Sequence, residues 1–135
     1  MRPHIKMLSG NYLTFEVKSR QSGGSDQCRL CWNDVTATGE IESLEHLIAQ
    51  CVKLEDLRKR ITTTMTNICQ QAEIPIDLNE LSSNEFCQFI LDPSSISLSR
   101  RVNITHPVLP QLFCLSRDFC FAIDKERIAN LALLT

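Results

Sequence analysis

The sequence has no basic excess. Its 135 residues carry 14 Lys and Arg against 16 Asp and Glu, a formal net charge of −2, so the charge footprint usual for a nucleic-acid binder is missing at the level of the whole chain. No apolar run approaches the roughly 20 residues that span a bilayer, so no membrane contact is expected. Met1-Arg2-Pro3-His4 is not followed by the apolar core of a signal peptide, and an intracellular protein, nuclear or cytoplasmic, is expected. No Ser/His/Asp, Cys/His or paired-carboxylate arrangement is visible, so no enzymatic role is expected. Residues 61–99 lack Lys and Arg altogether while holding five Asp or Glu, so any basic patch must come from the two ends folding together. The apolar share of 43% and charged share of 22% are those of a globular chain.

What the chain does have is cysteine. Seven of them, without a secretion signal, favour reduced thiols and metal binding over a disulfide framework. Cys28-Arg29-Leu30-Cys31 is followed after fourteen residues by His46 and after four more by Cys51. Three thiolates and an imidazole make a full tetrahedral set for Zn2+: the Cys-x-x-Cys turn points both sulfurs inward, and the His-x4-Cys end fits the first turns of a helix. Four protein ligands leave no place for a water, which makes the expected role structural rather than catalytic. Ordinary buried thiols suit a helical cysteine, but not a pair flanked by Asp26, Gln27, Asn33 and Asp34. A thioredoxin-like redox pair needs a strand and helix around the motif, and a zinc deaminase needs an upstream His-x-Glu; neither is present.

Along the chain the pattern is mainly α. Leu8, Tyr12 and Phe15 fall on one helical face within Ile5–Val17, and Ser19–Asp26, with Gly23-Gly24, reads as a loop into the knuckle. Asn33–Glu42 reads as a polar loop turning at Gly39, with room for a short strand. Ser43 caps the helix that carries His46, with Leu44, Leu47, Ile48 and Cys51 on one face. Leu54, Leu57, Ile61, Met65 and Ile68 form a long apolar stripe, stopped at Pro75. Asp77–Ser83 is a linker, Ser82 and Glu85 form a capping box, Phe86, Phe89 and Ile90 point inward, and Asp92-Pro93 ends that helix. Ser94–Asn103, with Arg100-Arg101, reads as a loop. A last helix begins near His106-Pro107 with Leu109, Leu112, Phe113, Phe119, Ile123 and Ile128 as its core face. Arg117, Asp118, Lys125, Glu126 and Arg127 are assigned to solvent, and Cys69, Cys87, Cys114 and Cys120 to core packing; a second metal site from His106, Cys114 and Cys120 has no recognised spacing. The expected architecture is a small Cys3His zinc knuckle on a bundle of about four to five helices. Residues 1–55 hold the N-terminal helix and knuckle, and 56–135 a helical region packed with it as one domain.

Several matches fall in one order: Leu8-Ser9-Gly10-Asn11-Tyr12-Leu13, then Arg20, then Cys28-x2-Cys31, Glu42-x3-His46-Leu47-Ile48-x2-Cys51 and Leu54-x3-Arg58. Phe89-Ile90-Leu91-Asp92-Pro93-Ser94 and Leu115-Ser116-Arg117-x-Phe119-Cys120-Phe121 follow. This order resembles the region downstream of the reverse transcriptase in non-LTR (LINE-like) retrotransposon proteins. The resemblance implies a zinc-binding module that handles nucleic acid without polymerising it, with Cys28, Cys31, His46 and Cys51 as ligands. The chain departs from that family in having no polymerase, endonuclease or RNase H portion and no adjacent Asp-Asp pair for polymerase magnesium, so it reads as a fragment, a relic frame or a recruited domain.

Two functions follow as expectations. In the first the knuckle binds RNA or single-stranded DNA, with Arg29, Lys53, Arg58, Lys59 and Arg60 meeting phosphates and Trp32 stacking on an unpaired base. In the second the zinc is architectural and the helices serve a protein partner.

Overall fold

The computed structural model describes residues 3–8, 12, 14–33, 35–36, 39–96 and 107–133. Among these the chain is mainly helical: α1 is Pro3–Leu8, α2 Phe15–Ser22, α3 Glu55–Gln71, α4 Ser83–Leu91 and α5 Val108–Leu133. A π-helical turn, His46–Gln50, and three short 3-10 turns, Val52–Leu54, Leu78–Glu80 and Pro93–Ser95, lie between them. No strand occurs among the described residues; an antiparallel bridge joins Gln27 to Ile41. The expected loop around Arg100-Arg101, the second-site ligand His106, and Ser9, Gly10, Asn11 and Leu13 fall outside the described residues.

The core follows the apolar stripes. Helix α3 brings buried Met65 and Cys69, with Leu57, Ile61 and Ile68 partly covered, against α5, which contributes buried Leu112, Phe119, Cys120 and Ile123. Helix α4 opens on the capping box, Ser82 Oγ accepting from the Glu85 amide and the Glu85 carboxylate from the Ser82 amide. Its Phe89 and Ile90 are fully buried, each side chain contributing roughly 1.5–3 kcal/mol relative to exposure, and its Phe86 ring meets Phe119 at 6.3 Å between centroids. Asp92-Pro93 ends α4 as expected, the Asp92 carboxylate accepting from the Ser94 amide. Helix α1 packs on α5 and α4, and His4 Nε2 sits 3.2 Å from the Leu91 carbonyl at the end of α4.

Several expectations are corrected. Leu8, Tyr12 and Phe15 do not share one helix. Leu8 ends α1 and is exposed, while Tyr12 is buried outside any helix. Thr14 then starts a new helix, its hydroxyl accepting from the Val17 amide, and this helix carries residues assigned to a loop as far as Ser22. Helix α3 stops at Gln71, short of Pro75, because Glu73 turns left-handed at φ 60. The Glu73 amide then reaches the Gln70 carbonyl and the Ile74 amide the Cys69 carbonyl, closing a Schellman cap without glycine. The Asp77–Ser83 linker holds the 3-10 turn Leu78–Glu80, capped by the Asp77 carboxylate. Cys114 is exposed rather than packed in the core. On α5, Ile128 is exposed and Arg127 is buried, the reverse of their assignment.

Candidate metal centre

The Cys-x-x-Cys limb and the return limb from Gly39 to Glu42 are tied by short backbone bonds, Cys28 N to Glu40 O at 2.6 Å and Glu42 N to Asp26 O at 2.7 Å. Gly39 is required here by space: a Cβ on it would lie 2.6 Å from the Cys28 carbonyl oxygen. The Trp32 ring covers the same glycine, and the Arg29 guanidinium lies 4.3 Å over that ring.

Beyond the limbs, the Ser43 hydroxyl accepts from the His46 amide, as its place in the sequence predicts. The turn that follows is π rather than α, closed by the Cys51 amide on the His46 carbonyl at 2.7 Å. The spacing explains why. In an α-helix, residues five apart point about 140° away from each other. A turn closed from i to i+5 brings them to one side, which a five-residue His–Cys pair needs if both are to reach one point.

The side chains of Cys28, Cys31, His46 and Cys51 converge, their ligand atoms all lying within 4.8 Å of one another. Cys28 Sγ is 4.0 Å from Cys51 Sγ, and Cys31 Sγ is 3.5 Å from His46 Nε2. A tetrahedral ion bound at about 2.3 Å to sulfur and about 2.0 Å to nitrogen would set these separations at ~3.8 Å and ~3.5 Å. The group therefore fits a metal ion held by four protein atoms. Cys28, His46 and Cys51 are buried and Cys31 is partly so. It is the one such group among the described residues.

The surroundings favour thiolates once an ion is bound. Backbone amides of Cys31, Glu40, Lys53 and Leu54 point at the three sulfurs, a second layer of donors of the kind that orients metal ligands. Without an ion the sulfurs share protons. The hydrogen bond between Cys28 and Cys51 pushes the Cys28 thiol up to about 12 and draws the Cys51 thiol down, and burial raises Cys31. Arg58 turns inward, Nε donating to the Ile48 carbonyl at 3.1 Å and Nη2 to the Cys51 carbonyl at 2.9 Å. It thereby satisfies carbonyls left open at the end of the π turn. Burial pulls its pKa down.

The remaining residues named for nucleic acid are placed differently. Lys59 is exposed and paired with Glu55 at 3.4 Å along α3. Arg60 is exposed at the rim of a groove between α3 and α5, and Lys53 is exposed in the 3-10 turn after Cys51. Arg29 and Trp32 are partly buried in the stack described above.

One constellation was not expected from the sequence. Glu42, 1% exposed, meets Arg127, 8% exposed, with Nη2 2.8 Å from Oε1 and Nε 3.1 Å from each carboxylate oxygen. The same carboxylate accepts from the Phe15 amide at 2.8 Å, and the Glu42 carbonyl accepts from the Glu16 amide. The guanidinium lies over the Tyr12 and Phe15 rings, and the Tyr12 hydroxyl donates to Asp124 at 2.7 Å. Burial alone would lower the Arg127 pKa, but Glu42 outweighs it and the net direction is upward. Burial, helped by the Asp124 bond, holds the Tyr12 phenol above its usual range. This latch joins α2, the knuckle and α5. Its signal in the sequence is Arg127 four residues after Ile123, on the same side of α5 as Cys120.

No family model, no curated protein and no solved structure matches this chain.

Proposed function

We propose that the chain is a non-catalytic, zinc-stabilised helical module whose metal is architectural and whose surfaces serve assembly with protein. The carrying observation is the four-ligand convergence with sulfur–sulfur and sulfur–nitrogen separations of 4.0 and 3.5 Å. A three-thiolate, one-imidazole set suits zinc by ligand softness and geometry, and four protein ligands leave no coordination position for a substrate. The two limbs, the π turn and the start of α3 meet at this point, so the ion closes the knuckle onto the helices. Binding of this type supplies on the order of 10–16 kcal/mol in zinc-finger peptides, most of it folding energy.

The test is metal content followed by removal. One zinc per chain is expected, with chelation opening the Cys-x-x-Cys limb and the His46–Gln50 turn by hydrogen exchange. A Cys51→Ser protein that still held one zinc per chain would overturn the assignment.

A second reading, binding of single-stranded nucleic acid, is favoured by the Arg29–Trp32 stack beside the ligand Cys31 and by exposed Lys53 two residues after the ligand Cys51. It fits the retrotransposon resemblance, in which the module would be a non-catalytic part of a larger machine. Arg58 and Lys59 support it less, being engaged within the chain. Binding that falls on a log–log salt slope of about −0.7 per phosphate neutralised, and is lost in Trp32→Ala with zinc retained, would establish it. Salt-independent binding would remove it.

A further inference from the structure

Helix α5 has a second apolar line that faces away from the core. Cys114, Phe121 and Ile128 recur every seven residues and all three are exposed, Phe121 at 60% and Ile128 at 57%. Seven residues are close to two helical turns, so the three stack on one face. Asp118 and Lys125 flank the line on one side, also seven apart and both exposed. On that side lies a groove of about 220 Å3 between α3 and α5, floored by Leu57, Ile61, Leu115 and Ala122.

We propose that this face pairs with the same face of a second copy of the chain, the two α5 helices running antiparallel about a two-fold axis between Phe121 and Ala122. The charges choose the direction. In the antiparallel arrangement Asp118 of each copy faces Lys125 of the other, giving two equivalent ion pairs. A parallel arrangement would set Asp118 against Asp118 and Lys125 against Lys125. Near the axis each Phe121 meets the other copy's Ala122, at the mouth of its groove, which offers the ring an apolar floor. The contact is isologous, as a two-fold dimer requires, and an aromatic knob at its centre is where the binding energy of such an interface concentrates. The two copies of Cys114 lie about 22 Å apart along the axis in this register, so no disulfide joins them.

Mass in solution, measured on zinc-loaded protein under reducing conditions, tests the pairing. A species of twice the 15.4 kDa chain mass is expected, giving way to monomer in Phe121→Asp with helicity unchanged, since Phe121 is 60% exposed and lies outside the core. Lys125→Asp is expected to weaken the dimer at least about tenfold, because it sets like charges against each other twice. Adding Asp118→Lys to Lys125→Asp reverses both pairs and is expected to recover most of that loss, short of the wild-type constant because Asp118 also meets Arg117 Nε at 3.6 Å within its own chain. A wild-type chain monomeric up to roughly 1 mM would overturn the proposal and assign the face to a different partner. A double variant no tighter than Lys125→Asp alone, or a Phe121→Asp protein that remains dimeric, would overturn it as well.

Discussion

Replacing Arg127 by Ala should be among the most destabilising single changes in the chain. The guanidinium makes three contacts of 2.8–3.1 Å to a carboxylate that is itself 1% exposed. Without it, Glu42 keeps the Phe15 amide but loses its counter-charge in a site that water does not reach. Removing one partner of a buried pair typically costs about 3–5 kcal/mol, mostly the penalty of stranding the other charge. A chain of this length has a total stability on the order of 7–20 kcal/mol, so the loss is a sizeable share. Urea unfolding at saturating zinc measures it, with the metal held constant so that linkage does not enter. The sharper readout is the double variant Glu42→Gln with Arg127→Met, which leaves no stranded charge. It should be less destabilised than the sum of the two single changes by about 1–3 kcal/mol, the size expected for coupled neighbours. A cost below about 1 kcal/mol for Arg127→Ala, or additive singles, would refute the latch as an energetic unit.

Three smaller expectations are independent of that pair. Glu73→Gly should stabilise the protein by about 0.5–1 kcal/mol in the same urea assay. A left-handed L-residue costs about 1–2 kcal/mol, of which glycine's extra freedom in the unfolded chain takes back part. Gly39→Ala should weaken zinc affinity by roughly tenfold or more in a chelator competition, since its Cβ would press on the Cys28 carbonyl at 2.6 Å; an unchanged affinity would show that this approach is not needed. Alkaline stability should be governed by the buried thiols. Burial raises Cys120 to about 12 and Cys87 to about 11 from an ordinary 9.0. Their folded pKa values lie above the unfolded ones, so the stability they contribute is complete below pH 9 and is lost as pH climbs towards 11–12. A Cys120→Ala protein should show a shallower loss over that window by urea unfolding; an identical slope would contradict the burial argument.

How far the sequence reaches depends on whether a feature is local. The convergence of Cys28, Cys31, His46 and Cys51 was legible because a Cys-x-x-Cys turn and a His–Cys pair five apart are short-range patterns with one geometric purpose. The capping box at Ser82 and Glu85 and the break at Asp92-Pro93 were legible for the same reason: cap chemistry acts within four residues. The π turn was missed: the His-x4-Cys end reads as the first turns of an ordinary helix, in which ligands five residues apart would point about 140° away from each other. Arg127 was not. It sits in a Lys-Glu-Arg run that reads as solvated surface, and only a carboxylate 85 positions away makes its burial favourable. Ile128 was misassigned by the same step, because placing Arg127 outside forces its neighbour inside. The end of α3 was missed since a left-handed glutamate carries no signal comparable to glycine or proline.

These misreadings converge on one segment. Glu42 to Cys51 is held at its first residue by Arg127 from α5 and by the amides of Phe15 and Glu16 from α2. At its last residue it is held by the ligand cluster and by Arg58 from α3. A Cys3His knuckle legible as a self-contained loop is thus clamped at both ends by helices that the sequence places elsewhere. Loss of a bound ion would leave the Glu42 contacts and the Arg58 bonds to the Ile48 and Cys51 carbonyls in place, so opening is expected at the Cys-x-x-Cys limb and the ligand side of the π turn. Hydrogen exchange on chelated protein is expected to show opening confined to that side, with the Phe15 and Glu16 amides still protected; exposure of those two amides would show that the Glu42 contacts depend on the ion.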